Sequence, residues 1–138
     1  MQLKRFLRRL CGHEGGAGLV EFAMVAPVLI LFLLGIVEAA LMLFLMGEME
    51  NVGRHAARSV AIGEFTEQQA ADYIQGELSN GIGSPQAEIE IVLNSGSTEL
   101  ESEVVATITI PGSQLEGLTP AGIVRPSQLV STVSVPRQ

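Results

Sequence analysis

From Ala23 to Val37 the chain carries no charged side chain, and after Glu38 the apolar run resumes from Ala39 to Met46. A hydrocarbon layer of about 30 Å is crossed by about 20 mostly apolar helical residues rising about 1.5 Å each, so this run predicts a membrane-spanning helix over residues 23–46. Leu29, Leu33, Ile36, Ala40 and Leu43 form one stripe, but the whole circumference is apolar, and the pattern does not separate a lipid face from a partner face. Pro27 lies early in the span, where it predicts a kink rather than an end. Beyond Gly47 a narrower apolar face persists in Met46, Met49, Val52, Gly53, Ala56, Ala57, Val60 and Ala61, which extends the helix into water until Gly63 ends it. Glu50 and Arg54 are four apart on its surface and can pair. The expected helix covers residues 17–63, about 45 residues and 65 Å at full extension.

The pattern then changes period. Thr66 and Gln69 fit a capping box, and a helix over residues 67–78 places Ala70, Ala71, Ile74 and Leu78 on one face before Asn80 and Gly81 close it. After a turn-rich link at residues 81–85, Ala87, Ile89, Ile91 and Leu93 alternate with Glu88, Glu90 and Val92, the period of a half-buried strand. A loop at Ser95–Thr98 leads to a second strand over residues 101–110, where Val104, Ala106, Ile108 and Ile110 alternate with Glu103, Val105, Thr107 and Thr109. Pro111 and Gly112 end it, residues 113–126 read as irregular, and residues 127–135 supply a third strand with Leu129, Val133 and Val135 on one side. The predicted class is α+β: a long N-terminal transmembrane helix extending into a small domain, residues 64–138, with one further helix and a three-stranded antiparallel sheet. A hairpin alone is marginal, so the two helices must cover the apolar face of the sheet.

Composition sharpens this division. The mean hydropathy of +0.37 is high for a small soluble protein, but without residues 23–46 an ordinary polar chain remains. Charge is divided as well: residues 1–16 carry Lys4, Arg5, Arg8 and Arg9 against Glu14, a balance of +3, whereas the rest carries four basic and 14 acidic groups, a balance of −10. Positive flanks stay on the cytoplasmic side, which predicts a cytoplasmic N-terminus and an acidic domain on the outside. The acidic domain also argues against nucleic-acid binding, which needs clustered Lys and Arg. With Cys11 as the single cysteine no intrachain disulfide can form, and Arg8 and Arg9 stand where lipoprotein acylation would need an apolar stretch.

Residues 1–16 are short, basic and end in glycine, with the apolar region after the glycines rather than before a cleavage site. An ordinary secretory signal would instead be cut near Val37-Glu38-Ala39, which would strand the apolar residues up to Met46 on a soluble terminus. The stretch Gly16-Ala17-Gly18-Leu19-Val20-Glu21-Phe22-Ala23, then Pro27, then Leu34-Gly35-Ile36-Val37-Glu38, then Arg54-His55-Ala56-Ala57-Arg58 resembles the type IV prepilin-like proteins, and more closely the TadE-like pseudopilins of the tight-adherence (Tad) pilus apparatus. The resemblance covers residues 15–60 or so. It implies a leader, residues 1–16, removed by a prepilin peptidase between Gly16 and Ala17, with Glu21 as the fifth residue of the mature chain and the aromatic Phe22 beside it. Cleavage would create an α-amino group at the electropositive end of a helix, one turn from Glu21, whose carboxylate can neutralise its own terminus or a neighbour's. A solvated carboxylate that merely starts the helix is the plain alternative for Glu21.

Glu38 is the anomaly of the span. It lies about 25 Å along the helix from Glu21, as a candidate intramembrane contact to a partner subunit or a basic group, or as a residue that tilt and snorkelling carry to the outer interface. No constellation suggests catalysis, a metal or a cofactor. His55 lacks ligand partners at metal spacing, and Glu88, Glu90, Glu99, Glu101 and Glu103 read as a solvated acidic face rather than a calcium site. No phosphate-binding glycine loop follows a strand, and no serine has a histidine partner at hand. The expected function is that of a non-enzymatic minor pseudopilin of the bacterial inner membrane, with a prepilin peptidase, other pilins or pseudopilins, an inner-membrane assembly platform and membrane lipid as partners, in building an adhesion pilus or secretion filament. The competing reading is an uncleaved single-span protein whose outer domain binds a ligand or senses the envelope.

Overall fold

The computed structural model describes residues 15–94 and 102–137, the first three by their backbone alone. The leader up to Glu14 with Cys11, the loop Ser95–Thr98, and Glu99 and Glu101 lie outside the described residues. The chain forms one long helix, α1 (Gly15–Ala61), a second helix, α2 (Glu67–Asn80), and three strands, β1 (Glu88–Asn94), β2 (Glu103–Pro111) and β3 (Gln128–Pro136). This is the α+β architecture expected of the sequence, and the strands form one antiparallel sheet in the order β1-β2-β3.

Helix α1 spans 47 residues and continues as α-helix through Pro27. It ends where Gly63, at φ +80°, takes the left-handed conformation that lets Glu64 and Phe65 donate their N–H groups to the Ser59 carbonyl. Helix α2 opens with the full capping box, Thr66 accepting from the Gln69 N–H while Gln69 accepts from the Thr66 N–H. It runs two residues past the expected end. Gly81 then donates to the Leu78 carbonyl in an extended conformation, so the cap is not of the left-handed glycine type.

The core lies between α1, α2 and one face of the sheet. Met49, Ala56, Ala57, Val60 and Ala61 of α1 meet Ala70, Ile74 and Leu78 of α2 and Val104, Ala106, Ile108 and Ile110 of β2, joined by Leu129 and Val133 of β3. Gly53 lets α1 approach the sheet closely, since a β-carbon there would stand 3.1 Å from Ile108 Cδ1. The alternation read in β2 and β3 therefore points the expected side chains inward. In β1 the fit is looser: Ile89 and Ile91 are half-buried and Leu93 is 41% exposed, because β1 is an edge strand packed mainly by α2.

Two expectations about α1 need correction. Met46 is exposed; Met49, Val52, Gly53, Ala56, Ala57, Val60 and Ala61 are buried or half-buried as expected, and the inward row continues below them through Leu45 and Met42 instead of Met46. Met42 and Leu45 also sit in the domain core, so the domain begins to cover the helix within the run that its hydropathy assigns to lipid. From Leu19 to Val37, in contrast, nearly every large apolar side chain is exposed around the whole circumference, with Met24 at 76%.

Candidate functional site

The positions singled out in the sequence fall in two places on α1. Gly16 and Ala17 lie in its first turn, and Glu21 and Phe22 one turn further, on the exposed apolar half; among the described residues no group is hydrogen-bonded to the Glu21 carboxylate. Glu38 stands where the exposed half ends, and it is 1% exposed.

The Glu38 partners come from the segment between β2 and β3. That segment begins with two short 3-10 turns, Gly112–Gln114 and Glu116–Leu118, and Gly112 can take its place only without a side chain, because a β-carbon would meet the Pro126 and Ser127 carbonyls at 2.5 and 2.7 Å. Leu115 and Leu118 fill the core beneath it. The chain then turns at Thr119–Gly122, where the Gly122 N–H reaches the Thr119 carbonyl at 2.9 Å and Gly122 has φ +64°. This turn aims four successive N–H groups at one carboxylate. Glu38 Oε1 accepts from Ala121 (2.7 Å) and Gly122 (3.0 Å), and Oε2 accepts from Ile123 (2.9 Å) and Val124 (3.0 Å).

Each oxygen thus receives two donors, and the carboxylate is saturated by backbone. Successive amides around an anion form a nest, a concavity of partial positive charge, and bonds to an ionised acceptor are among the stronger hydrogen bonds in proteins. The arrangement ties the β2–β3 connection to the helix at the level where the exposed apolar surface stops. Ile123 lies against Gly35 one turn below, 3.3 Å from where a β-carbon would be. Glu38 therefore finds four hydrogen-bond donors within the chain, in backbone amides, where the sequence suggested a basic group, a partner subunit or the outer interface. Its apolar context marks the residue in the sequence, whereas the segment that binds it, residues 119–124, carries no regular pattern.

The remaining candidates take ordinary places. Arg54 pairs with Glu50 on the exposed surface of α1, and His55 packs against the Tyr73 ring at 5.3 Å between centroids. Glu88 and Glu90 face solvent, and among the described residues no group of three His, Cys, Asp or Glu is placed to hold a metal ion.

Among the described residues one helix is long and apolar enough to cross a membrane, and it is α1. Residues 16–58 match the family model of the TadE-like proteins. The TadE-like segment thus runs from the expected cleavage glycine to Arg58, and it includes Glu21, Phe22, Pro27, Glu38 and the Arg54-His55-Ala56-Ala57-Arg58 stretch that carried the resemblance. The match is confined to α1, and α2 and the sheet lie outside the matched residues. No curated protein matches the chain. No solved structure matches it either.

Proposed function

We infer that the protein is a non-enzymatic minor pseudopilin that takes part in assembling a Tad-type adhesion pilus or secretion filament. The observation that carries this reading is the TadE-like match on a helix whose first half is apolar and exposed on every side while its second half is built into a domain. Such a helix suits two successive environments, lipid before assembly and other pilin helices after it, because both are apolar. In this reading a prepilin peptidase cuts between Gly16 and Ala17, and Glu21 then pairs with the new α-amino group of its own or a neighbouring subunit, relieving the cost of an unpaired carboxylate at a membrane boundary. Phe22 packs beside that contact. The protein sits in the inner membrane with its N-terminus in the cytoplasm and its acidic domain outside, where other pilins and the assembly platform meet it.

Mass spectrometry of the membrane-extracted protein tests the processing step. A mature chain beginning at Ala17, lost on Gly16→Asp, is expected; an intact Met1 terminus in cells with an active prepilin peptidase would refute the pseudopilin reading in favour of an uncleaved single-span protein. For Glu21→Ala, cleavage should persist while filament assembly, scored by electron microscopy of the cell surface, falls. Normal filaments in that variant would remove Glu21 from assembly.

A further inference from the structure

The exposed apolar half of α1 ends at Val37, and the Glu38 latch fixes the segment 119–124 at that height. If residues 18–37 occupy the hydrocarbon, about 20 residues and 30 Å, this segment rests on the membrane surface. Its side chains are graded accordingly. Ile123, 47% exposed, lies against Gly35 on the lipid-facing side, and Arg125 is exposed two residues later, with its guanidinium folded over Gly122.

Beside the latch is a cleft of about 550 Å³ between the first 3-10 turns and the strand entrance, and its walls carry Arg125, Glu116, Ser113, Thr119 and Ser127. Among the described residues no ion pair involves Arg125 or Glu116, so the cleft presents both a cation and a carboxylate to a ligand. The domain around it is acidic, which disfavours an anionic lipid surface.

We propose that this cleft binds a phosphoethanolamine lipid headgroup, with the phosphate on the Arg125 guanidinium, the primary ammonium on Glu116 and the Ile123 side chain dipping into the acyl region. Arginine suits the phosphate because its fork donates two parallel hydrogen bonds. A phosphocholine headgroup has no N–H to give Glu116, and a phosphoglycerol headgroup leaves Glu116 facing only neutral hydroxyls. The site would seat the domain on the outer surface of the bilayer before the helix leaves it. The proposal rests on α1 spanning the membrane, and its test separates the two.

The chain contains no tryptophan, so single reporters can be placed in the full-length protein in nanodiscs whose lipids are brominated near the methyl end of the acyl chain for Val28→Trp and near its carbonyl end for Ile123→Trp. Val28→Trp reports on the span and Ile123→Trp on the docking. Native mass spectrometry of the protein released from nanodiscs of mixed phosphatidylethanolamine, phosphatidylcholine and phosphatidylglycerol then reads which lipid is retained. The expected result is quenching at Ile123→Trp, preferential retention of one phosphatidylethanolamine, a several-fold loss of retained lipid in Arg125→Gln, and loss of the preference over phosphatidylcholine in Glu116→Gln. Added inorganic phosphate should not displace the lipid. Quenching at Val28→Trp without quenching at Ile123→Trp overturns the docking and leaves the span intact; quenching at neither position overturns the span and the proposal with it. Equal retention of the three lipids, retention unchanged in Arg125→Gln, or displacement by free phosphate overturns the headgroup site even if Ile123→Trp is quenched.

Discussion

Helix α1 holds two regions that look alike in hydropathy and live in different surroundings. Residues 19–37 expose their large side chains on all sides, whereas from Glu38 onward one face is sealed by Leu115, Leu118, β2 and β3 while the opposite face, with Leu43 and Phe44, stays open. Apolar content does not tell the two apart, since Leu45 is buried by the domain while Leu33 and Leu34, the same residue type, are exposed. What separates them is whether a domain lies alongside, and the transition is marked by the one carboxylate in the run. A carboxylate there is affordable because four backbone amides meet it, which lets a charged group and the apolar residues around it occupy the same turn of helix.

The comparison breaks most visibly at Met49, which is fully buried. Met49→Ala should cost about 2–5 kcal/mol, read as a lowered thermal midpoint of the domain in detergent, while Leu33→Ala in the lower half should leave that midpoint unchanged. An equal loss at both positions would mean that the lower half also packs against the domain. Glu38→Gln keeps the shape of the side chain but replaces one acceptor oxygen with an NH2 group that opposes two of the four donors, so it should expose the amides of residues 121–124 to hydrogen exchange and lower the midpoint less than Met49→Ala. Unchanged exchange there would show that the turn holds itself. Gly53→Val should cost about 1–3 kcal/mol by crowding Ile108, whereas Gly47→Ala, with open space around it, should stabilise the helix by about 0.5–1 kcal/mol; denaturant midpoints distinguish the signs. The smallest effect is expected of Glu50→Ala, about 0.5 kcal/mol or less, because its pair with Arg54 is exposed.

Much of the domain was legible because its signals are local. The Thr66 and Gln69 capping box spans four residues, and the alternation in β2 from Val104 to Ile110 repeats every second residue, so each element carries its own evidence. The exposed edge position of Leu93 was not legible, since period-2 alternation gives a face but not the neighbours that cover it. The outward position of Met46 was not legible for a related reason: up to Met46 apolar residues stand on all sides, so periodicity cannot fix the rotation of the helix there, and packing against β2 and β3 does.

By itself, the sequence determined a long apolar helix, a capped second helix, three strands of definite inward face, and a TadE-like stretch from Gly16 to Arg58. Only the tertiary structure decided where the domain takes hold of that helix. The Glu38 carboxylate and its four donors are 83 to 86 residues apart, and the donors are backbone N–H groups, which every residue except proline possesses. No residue type at positions 121–124 announces an anion site; the turn at Gly122 makes it one by aiming those amides at a single point.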